Sequence, residues 1–327
     1  MNRTQVGSTA ISVIAFVAMC CGPSLAPAQR PSNKLKLPKP EQVTLRTKDG
    51  MQIRCAYYPG GVKQTAKKGV FQKKLGKTVV PVILLHGWEG ERNQYASLAN
   101  SLQSRGHAVV VPDLRGHGDS ATIRLPNGAE RRIDRDRMRP AEIQGMVFDV
   151  QAVKKFMLTK NNEGELNIEL LCVVGAKLGA IVGLIWAQRD WSRQQLPSFK
   201  QGQDVKALVL LTPQQKFKGM TASHALKHPV VAGGLSMMIV VGNSDRKNFS
   251  DAKAIHKRLE RFHRSDGGSE EDLFFFDLDT SQSGTELVDP KARLKVDQLI
   301  GGFIRKRLEA NSARFPWTER RNPLSIN

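Results

Sequence analysis

Short apolar runs alternate with amphipathic segments along most of this chain, and the alternation predicts a layered α/β domain. The runs that predict strands cover residues 79–85, 108–111, 168–174, 205–211, 235–241 and 273–278. Helical periodicity marks residues 93–105, 141–158, 180–188, 250–262 and 290–309. Because the strands are apolar throughout, we expect a largely parallel sheet covered by helices on both faces.

The segment that precedes this alternation predicts an antiparallel hairpin. Residues 43–47 and 51–58 alternate around an Asp-Gly turn, so the hairpin would lie at the sheet edge. The lysine-rich stretch 59–78 predicts an exposed loop. The domain is expected to span residues 41–310, followed by a tail, 311–327, without a core pattern.

The first 28 residues have the layout of a secretory signal peptide. Arg3 precedes a short apolar run at residues 11–19, and residues 26–28 form an A-x-A cleavage pattern. An uncleaved anchor is the alternative, although the run is shorter than the roughly 20 residues of a spanning helix. Residues 29–40 predict a basic, proline-rich linker. We therefore expect a secreted, periplasmic or cell-envelope protein, with no transmembrane span after cleavage.

Composition and charge narrow the classes of partner. The chain has 327 residues, 40% hydrophobic and 24% charged, which is typical of a globular protein. Its net charge of +20 would attract polyanions such as a cell-envelope polymer, with a role in solubility as the alternative. Because a secretory signal is present and no nucleic-acid motif accompanies the charge, we expect no nucleic-acid partner.

Two cysteines, Cys55 and Cys172, lie inside predicted strands. We expect buried free thiols, and a disulfide between them is the alternative in an oxidising compartment. No cysteine or histidine spacing is typical of zinc binding, so we expect neither a metal nor a cofactor.

Three motifs follow apolar strands in an order that is similar to one known family. They are H-G-W at residues 86–88, D-L-R-G-H-G-D-S at 113–120 and G-A-K-L-G at 175–179. Together they resemble the α/β-hydrolase family, in its esterase and serine-aminopeptidase-like branch, over about residues 41–309. The resemblance implies an α/β-hydrolase fold with a mostly parallel central sheet and a small or absent lid between residues 212 and 234.

The G-A-K-L-G motif occupies the place of the family's G-x-S-x-G turn. Gly175 and Gly179 would let the strand and helix cross closely, as this turn requires. Lys177 stands where the family has its nucleophilic serine. By resemblance, the N–H groups of Trp88 and Leu178 would form the oxyanion hole.

Two histidines in these motifs are interpreted as structural. His86 and His117 are expected to fix loops through hydrogen bonds, and Gly87 would allow a close approach of the backbone beside the oxyanion hole.

Of the family's other two triad positions, the acid is matched in this sequence and the histidine is replaced. Asp245 follows the strand at 235–241 and matches the acid, although it could simply begin a turn or helix. The loop that carries the family's histidine places Ser283 at that position. With the serine and the imidazole both replaced, the triad is degenerate and ordinary acyl transfer should be greatly slowed.

Lys177 has two possible roles in such a site. Its ammonium could form an ion pair with Asp245 in the space left by the imidazole, which is the role we expect. Alternatively, burial could lower its pKa and make the amine a nucleophile toward a carbonyl.

Three functions remain open from sequence. The first is a catalytically impaired hydrolase homologue that binds a small-molecule or anionic ligand, or a partner, at the former active site. The second is a hydrolase with a non-standard centre, using Lys177, Ser244 or Ser283. The third is a surface protein that binds an anionic polymer. The arginine-rich segment 121–140 is either a basic rim to the site or a solvated loop.

Overall fold

An eight-stranded sheet forms the centre of the computed structural model. The strands of the protein, in chain order, are β1 (Glu41–Arg46), β2 (Gln52–Tyr58), β3 (Val62–Gln64), β4 (Phe71–Lys73), β5 (Pro81–Leu85), β6 (Ala108–Pro112), β7 (Thr122–Arg124), β8 (Glu130–Arg132), β9 (Leu171–Ala176), β10 (Val205–Leu211), β11 (Lys216–Phe217), β12 (Met220–Thr221), β13 (Ser236–Gly242) and β14 (Leu273–Leu278). The central sheet has the order β1-β2-β6-β5-β9-β10-β13-β14, and three further strand pairs form small hairpins outside it.

The direction of the strands agrees with the sequence pattern. The first two strands form the expected antiparallel hairpin, and β2 pairs antiparallel with β6. All other neighbours in the central sheet run parallel. Because β5, β6 and β9 are buried at every position, both faces of the sheet must be covered. The predicted α/β-hydrolase sheet is therefore confirmed.

Within the described residues, six α-helices cover this sheet in two layers. They are α1 (Ala96–Ser104), α2 (Pro140–Gln144), α3 (Met146–Asn162), α4 (Leu178–Trp191), α5 (Arg246–Glu260) and α6 (Val296–Ile304). One apolar cluster joins the sheet to α3, α4 and α5, and the other joins it to α1 and α6. Short 3₁₀ or π turns occupy Gly76–Thr78, Arg92–Tyr95, Arg135–Arg137, Ile168–Leu170, Ala225–Lys227, Val230–Gly234, Gly284–Val288, Pro290–Ala292, Arg305–Glu309 and Ser312–Arg314.

The structure describes residues 1, 35–65, 67, 69–125, 127–197, 200–263 and 272–320. The predicted signal peptide therefore lies outside the described residues except for its first, as do residues 29–34 of the predicted linker. None of the helices described is long and apolar enough to cross a membrane. Cys55 and Cys172 are buried free thiols, and burial raises the pKa of both.

Several element boundaries differ from the sequence predictions. The expected loop at 59–78 contains the β3–β4 hairpin. The expected helix at 141–158 is two helices that meet at Gly145, which lies against the Arg115 guanidinium. The expected last helix at 290–309 is interrupted because Arg293 and Lys295 both adopt left-handed backbone conformations.

The segment after residue 310 is anchored to the domain by polar contacts. The guanidinium of Arg320 is buried, and its Nη1 lies 2.7 Å from Oε1 of Glu169 and 2.6 Å from Oδ1 of Asp204. The indole N–H of Trp317 donates to the carbonyl of Asn161 at 3.2 Å. These contacts involve charge and single hydrogen bonds rather than an apolar stripe, so the sequence shows no core pattern there.

Candidate functional site

A strained turn joins β9 to α4 at the carboxyl edge of the sheet. Lys177 is the single residue between them, and its φ of 49° and ψ of −112° lie in a region that non-glycine residues rarely adopt. A Cβ built on Gly175 would lie 2.5 Å from the carbonyl oxygen of Gly179. A Cβ on Gly179 would lie 2.6 Å from the carbonyl oxygen of His86. Side chains at these two glycine positions would thus prevent β9, α4 and the end of β5 from packing so closely.

The side chain of Lys177 is half-buried and lies along a glycine of the predicted histidine loop. A Cβ built on Gly284 would be 3.1 Å from Cε, 3.2 Å from Cγ and 3.3 Å from Cδ of Lys177. On the other side, a Cβ on Gly87 would be 3.4 Å from the lysine Cβ. The aliphatic part of Lys177 therefore fills the volume between the oxyanion-hole turn and the loop where the family has its histidine.

The acid loop and the histidine loop pack together beside this turn. The N–H of Ser244 donates to the carbonyl of Thr280 at 3.2 Å, which ties the segment after β13 to the segment after β14. The N–H of Gly284 donates to Oγ1 of Thr212 at 2.9 Å. Ser283 itself caps the following turn, because its N–H donates to Oε2 of Glu286 at 3.0 Å. It is therefore Gly284, one residue later, that lies against Lys177.

The expected ion pair between Lys177 and Asp245 is wrong. In the parts of the chain that the structure covers, no carboxylate lies within 4.0 Å of the Lys177 ammonium. Asp245 instead caps α5, where its carboxylate accepts hydrogen bonds from the backbone N–H and the side-chain amide of Asn248, at 3.2 and 2.5 Å. The cap holds the carboxylate at its own helix, and Lys177 extends along Gly284.

No serine–histidine pair replaces the missing relay among the described residues. All seven histidines of the chain are described, and none of them shares a hydrogen bond with a serine hydroxyl there. The hydroxyl of Ser244 contacts Asn243 at 3.5 Å, and that of Ser283 contacts Glu286 at 3.5 Å. Neither alternative serine therefore has an imidazole hydrogen-bonded to its hydroxyl.

His86 has a structural role that its hydrogen bonds define. Its Nε2 accepts from the backbone N–H of Leu114 at 3.0 Å, so its Nδ1 carries the proton and donates to the carbonyl of Gly87 at 2.7 Å. Burial lowers the pKa of His86 to about 3, despite the hydrogen bond to Gly87. The neutral ring thus joins the turn after β5 to the turn after β6. His117 similarly hydrogen-bonds the carbonyl of Arg115 through Nδ1, at 2.9 Å.

Two backbone donors border the Lys177 turn. Leu178 is the first residue of α4, so its N–H has no acceptor within the helix. Among the described residues, neither this N–H nor that of Trp88 donates a hydrogen bond. Both are therefore available to an oxygen atom at the mouth of the site.

The indole of Trp88 packs beneath a small cap that covers one side of the site. Its ring centroid lies 4.9 Å from that of His117 and 5.6 Å from that of Phe217. The ammonium of Lys218 lies 4.6 Å above the indole. Phe217 and Lys218 belong to the short β11–β12 hairpin, so the cap over this side of the site is no larger than that hairpin and the turns beside it.

Residues of the D-L-R-G-H-G-D-S motif mainly hold parts of the fold together. Arg115 is buried, with Nη2 2.7 Å from Oδ1 of Asp149 and Nη1 2.6 Å from Oδ2 of Asp49. It thus links α3 to the first hairpin. Asp113 accepts from the backbone N–H of Arg92 at 2.6 Å and from that of Asp119 at 3.0 Å. The sequence motif found these residues but not their partners, which are distant in the chain.

Acidic neighbours partly neutralise the arginine-rich segment 121–140. Glu142 lies 2.8 Å from Arg131 and 3.4 Å from Arg139, and Arg135 lies 3.1 Å from Asp136. Although partial burial acts in the opposite direction, hydrogen bonds from Arg131 and Arg139 lower the pKa of Glu142 to about 2. This pairing favours the solvated-loop interpretation over a basic rim.

Comparison with known proteins agrees with this geometry. Residues 80–232 match the sequence model of a family described as the alpha/beta hydrolase fold. Uncharacterised proteins from two Mycobacterium tuberculosis strains are 25% identical over 162 residues, half of this chain and 45% of theirs. The match therefore spans less than half the length of these curated relatives.

Solved structures extend the similarity to most of the chain. An alpha-beta serine hydrolase homologue from Coxiella burnetii has a TM-score of 0.50 at 16% identity, covering 83% of this chain and 99% of its own. A structure from work on two fungal esterases of Rhizomucor miehei has a TM-score of 0.55 at 12% identity, covering 86% of each chain. At these identities the likeness concerns the fold alone. Taken with the family match over residues 80–232 and the strained strand–helix turn, it shows that this chain has the α/β-hydrolase fold.

Proposed function

We propose that this chain is a secreted α/β-hydrolase homologue that has lost serine-hydrolase catalysis and binds an anionic or carbonyl-bearing small molecule at the former active site. One observation carries the proposal: Lys177 occupies the strained turn where the nucleophile would stand, and no histidine faces it. Acyl transfer of the serine type needs an imidazole to accept and return a proton. The available donors fit binding instead, because two backbone N–H groups and an ammonium can hold an oxyanion without any proton transfer.

Secretion is part of this proposal and rests on the sequence of the first 28 residues. Mass spectrometry of the mature protein from an expressing bacterium would test it. We expect a new N-terminus after residue 28 and a protein recovered outside the cytoplasm. An intact N-terminus in a cytoplasmic fraction would contradict it.

Chromogenic ester and aminoacyl substrates test the loss of catalysis. We expect the wild-type chain to hydrolyse them no faster than a Lys177→Ala variant does, because neither has a serine–histidine pair. Clear turnover that Lys177→Ala abolishes would overturn the proposal. The Lys177→Ala variant also supplies the binding control, since a bound anion should lose affinity when the ammonium is removed.

Reconstruction of the relay tests the assignment of positions. Lys177→Ser removes the side chain that lies on Gly284, and the imidazole can then be introduced at either loop position, as Ser283→His or as Gly284→His. We expect one of the two double variants to show esterase activity above Lys177→Ser alone, and Asp245→Asn to reduce it. Two folded but inactive double variants would count against the mapping of the histidine loop.

The absence of an ion pair favours one second candidate, a carbonyl-reactive amine. No carboxylate of the described residues lies within 4.0 Å of the Lys177 amine to hold it in an ion pair, and a neutral amine can add to an aldehyde or ketone. The Lys177 amine would form a carbinolamine and then lose water to give an imine, which borohydride reduces to a stable secondary amine. A mass increase mapped to Lys177 after reductive trapping would support this candidate, and labelling spread over surface lysines would exclude it.

A further inference from the structure

A strongly basic groove lies at the amino edge of the sheet, opposite the Lys177 turn. Two adjoining cavities of about 590 and 290 Å³ share Lys63 and Glu309 in their walls. Their walls come from the β3–β4 hairpin, from the end of α1 just before β6, and from α6 with the turn that follows it. We call these two cavities together the basic groove.

The charge of the basic groove is one-sided among the described residues that line it. Five of these side chains are cationic, and they are Lys63, Lys73, Lys74, Arg105 and Arg305. Glu309 is the single acid, and its Oε1 already lies 2.6 Å from the ammonium of Lys74. None of the other four cations has a described carboxylate within 4.0 Å.

Two buried nitrogen atoms in the groove have no hydrogen-bond partner in the described part of the chain. They are Nε of Arg105 and Nδ1 of His107, a residue that is only 1% exposed. Burial lowers the pKa of His107 to about 3, and the charge of Glu309 only partly opposes this shift. The ring is therefore neutral at physiological pH. Because buried polar atoms are almost always paired, these two nitrogens show that the wall of the basic groove contains unsatisfied polar groups.

Two consecutive glycines in α6 shape the space beside Arg105. A Cβ built on Gly301 would lie 2.7 Å from Nε and 2.8 Å from Cζ of Arg105, so the guanidinium packs directly against this glycine of the helix. A Cβ on Gly302 would meet no atom within 4 Å, so the groove stays open there. The guanidinium therefore lies beside the open part of the groove, with no described carboxylate within 4.0 Å of it.

A cavity of about 670 Å³ at the same edge of the sheet provides a contrast. Its walls include Lys200, Lys206 and Arg320, but each of these lies within 4.0 Å of Glu169. Three acids, Glu169, Asp272 and Glu319, line that cavity, whereas Glu309 is the one acid among the described residues that line the basic groove, so the charge there is less one-sided.

We propose that the basic groove binds a linear polyanion with repeated phosphate groups, one of which lies at Arg105 and another near Lys63 and Lys73. The planar fork of arginine suits paired phosphate oxygens, whereas lysines at a groove wall attract charge without fixing direction. Two adjoining cavities favour an extended ligand over a single ion. This site is independent of the function proposed for Lys177.

Tripolyphosphate is the probe for the test, with the full chain as the protein and calorimetry as the readout. Inorganic phosphate and polyglutamate, measured at the same ionic strength, are the comparison ligands. We expect tripolyphosphate to bind at least about tenfold more tightly than either, and more weakly as salt rises, because exposed lysines are screened. Equal binding of polyglutamate would overturn the assignment to phosphate.

Variants locate the site. The pair Arg105→Gln and Lys63→Gln should weaken tripolyphosphate binding by about tenfold or more, as expected when charged hydrogen bonds are lost. The matched control pair is Lys247→Gln and Lys257→Gln on α5, which removes the same charge from exposed positions on the other layer. It should change affinity by less than about twofold. Similar losses in both pairs would show non-specific attraction only and overturn the site.

A further variant tests the site at a position where the substitution should not unfold the protein. Gly302→Glu places a carboxylate in the open part of the groove, where a Cβ meets nothing, so the helix should tolerate it. We expect this variant to keep the wild-type melting temperature and to lose tripolyphosphate binding, while Lys177→Ala retains it. Undiminished binding by Gly302→Glu would overturn the proposal.

Discussion

Two arginines at the amino edge of the sheet, Arg320 and Arg105, show how differently one side chain can be used. Arg320 is buried between Glu169 and Asp204, and Lys154 lies 2.6 Å from the same Asp204. Arg105 lies on the backbone of α6 with no described carboxylate near it. In the first arrangement, the ion pairs neutralise one another and fix the segment after residue 310 to the domain. The second leaves a net charge that only an external anion can balance.

The largest expected effect is a difference in the free energy of unfolding between alanine variants of these two arginines. Arg320→Ala would leave two buried carboxylates short of a partner, and we expect it to lower the free energy of unfolding by about 3 kcal/mol. Arg105→Ala should cost less than about 1 kcal/mol, because it removes no ion pair. Urea unfolding of both variants checks the difference. A larger loss for Arg105→Ala would contradict the contrast.

Stabilisation by bound tripolyphosphate should depend on the basic groove and not on the ion pairs of Arg320. Tripolyphosphate at a hundred times its dissociation constant should stabilise the wild type by about 2.7 kcal/mol. A domain of this size would then melt several degrees higher, at roughly 2–4 °C per kcal/mol. Arg320→Lys, which keeps the charge, should respond like the wild type, whereas Gly302→Glu should not respond. Differential scanning fluorimetry with matched sodium chloride controls provides the measurement.

Lys177 extends the comparison to a cation that is packed but unpaired. Gly284→Ala introduces a Cβ at a φ of 61° and within 3.1–3.3 Å of the Lys177 side chain. We expect a loss of about 1–2 kcal/mol, part from the backbone and part from crowding. The double variant with Lys177→Ser should recover the crowding part. Strictly additive losses in a double-mutant cycle would show that the two residues do not interact.

The smallest expected effect concerns Glu309, the one acid of the basic groove. Burial alone would raise its pKa, but the hydrogen bond from Lys74 and the positive charges of Lys74 and Lys63 lower it below the ordinary value of 4.5. A carboxyl group with a depressed folded-state pKa contributes stability above pH 4.5, and this contribution is lost as the pH falls through its folded pKa. Glu309→Gln should therefore flatten the stability profile below pH 4.5. An unchanged slope would contradict this assignment.

The sheet was predictable because its strands are buried on both faces. The predicted limits of β10 and β14, 205–211 and 273–278, coincide with the observed ones. Their continuous apolar composition is itself the consequence of that burial. The split of the helix at Gly145 was not predictable, since the side chain packed against that glycine belongs to Arg115, thirty residues earlier in the chain.

The site was predictable in position but not in contacts. Motif order placed Lys177 at the turn between β9 and α4, and the left-handed backbone found there is a property of that turn. The expected pairing with Asp245 failed because a local competitor, Asn248, lies three residues further along the same chain. Such helix caps follow from short-range sequence, and the alternative interpretation of Asp245 as the start of a helix agrees with its position as the N-cap of α5. The basic groove, in contrast, combines segments that are far apart in sequence.

The positive φ of Lys177 has a consequence for engineering. This conformation is maintained without a serine, so the neighbouring backbone must impose it whichever side chain stands there. A glycine at position 177 would relieve a strain of about 1 kcal/mol and clear the cleft at once. The chain would then serve as a blank scaffold into which unnatural nucleophiles could be introduced one residue at a time.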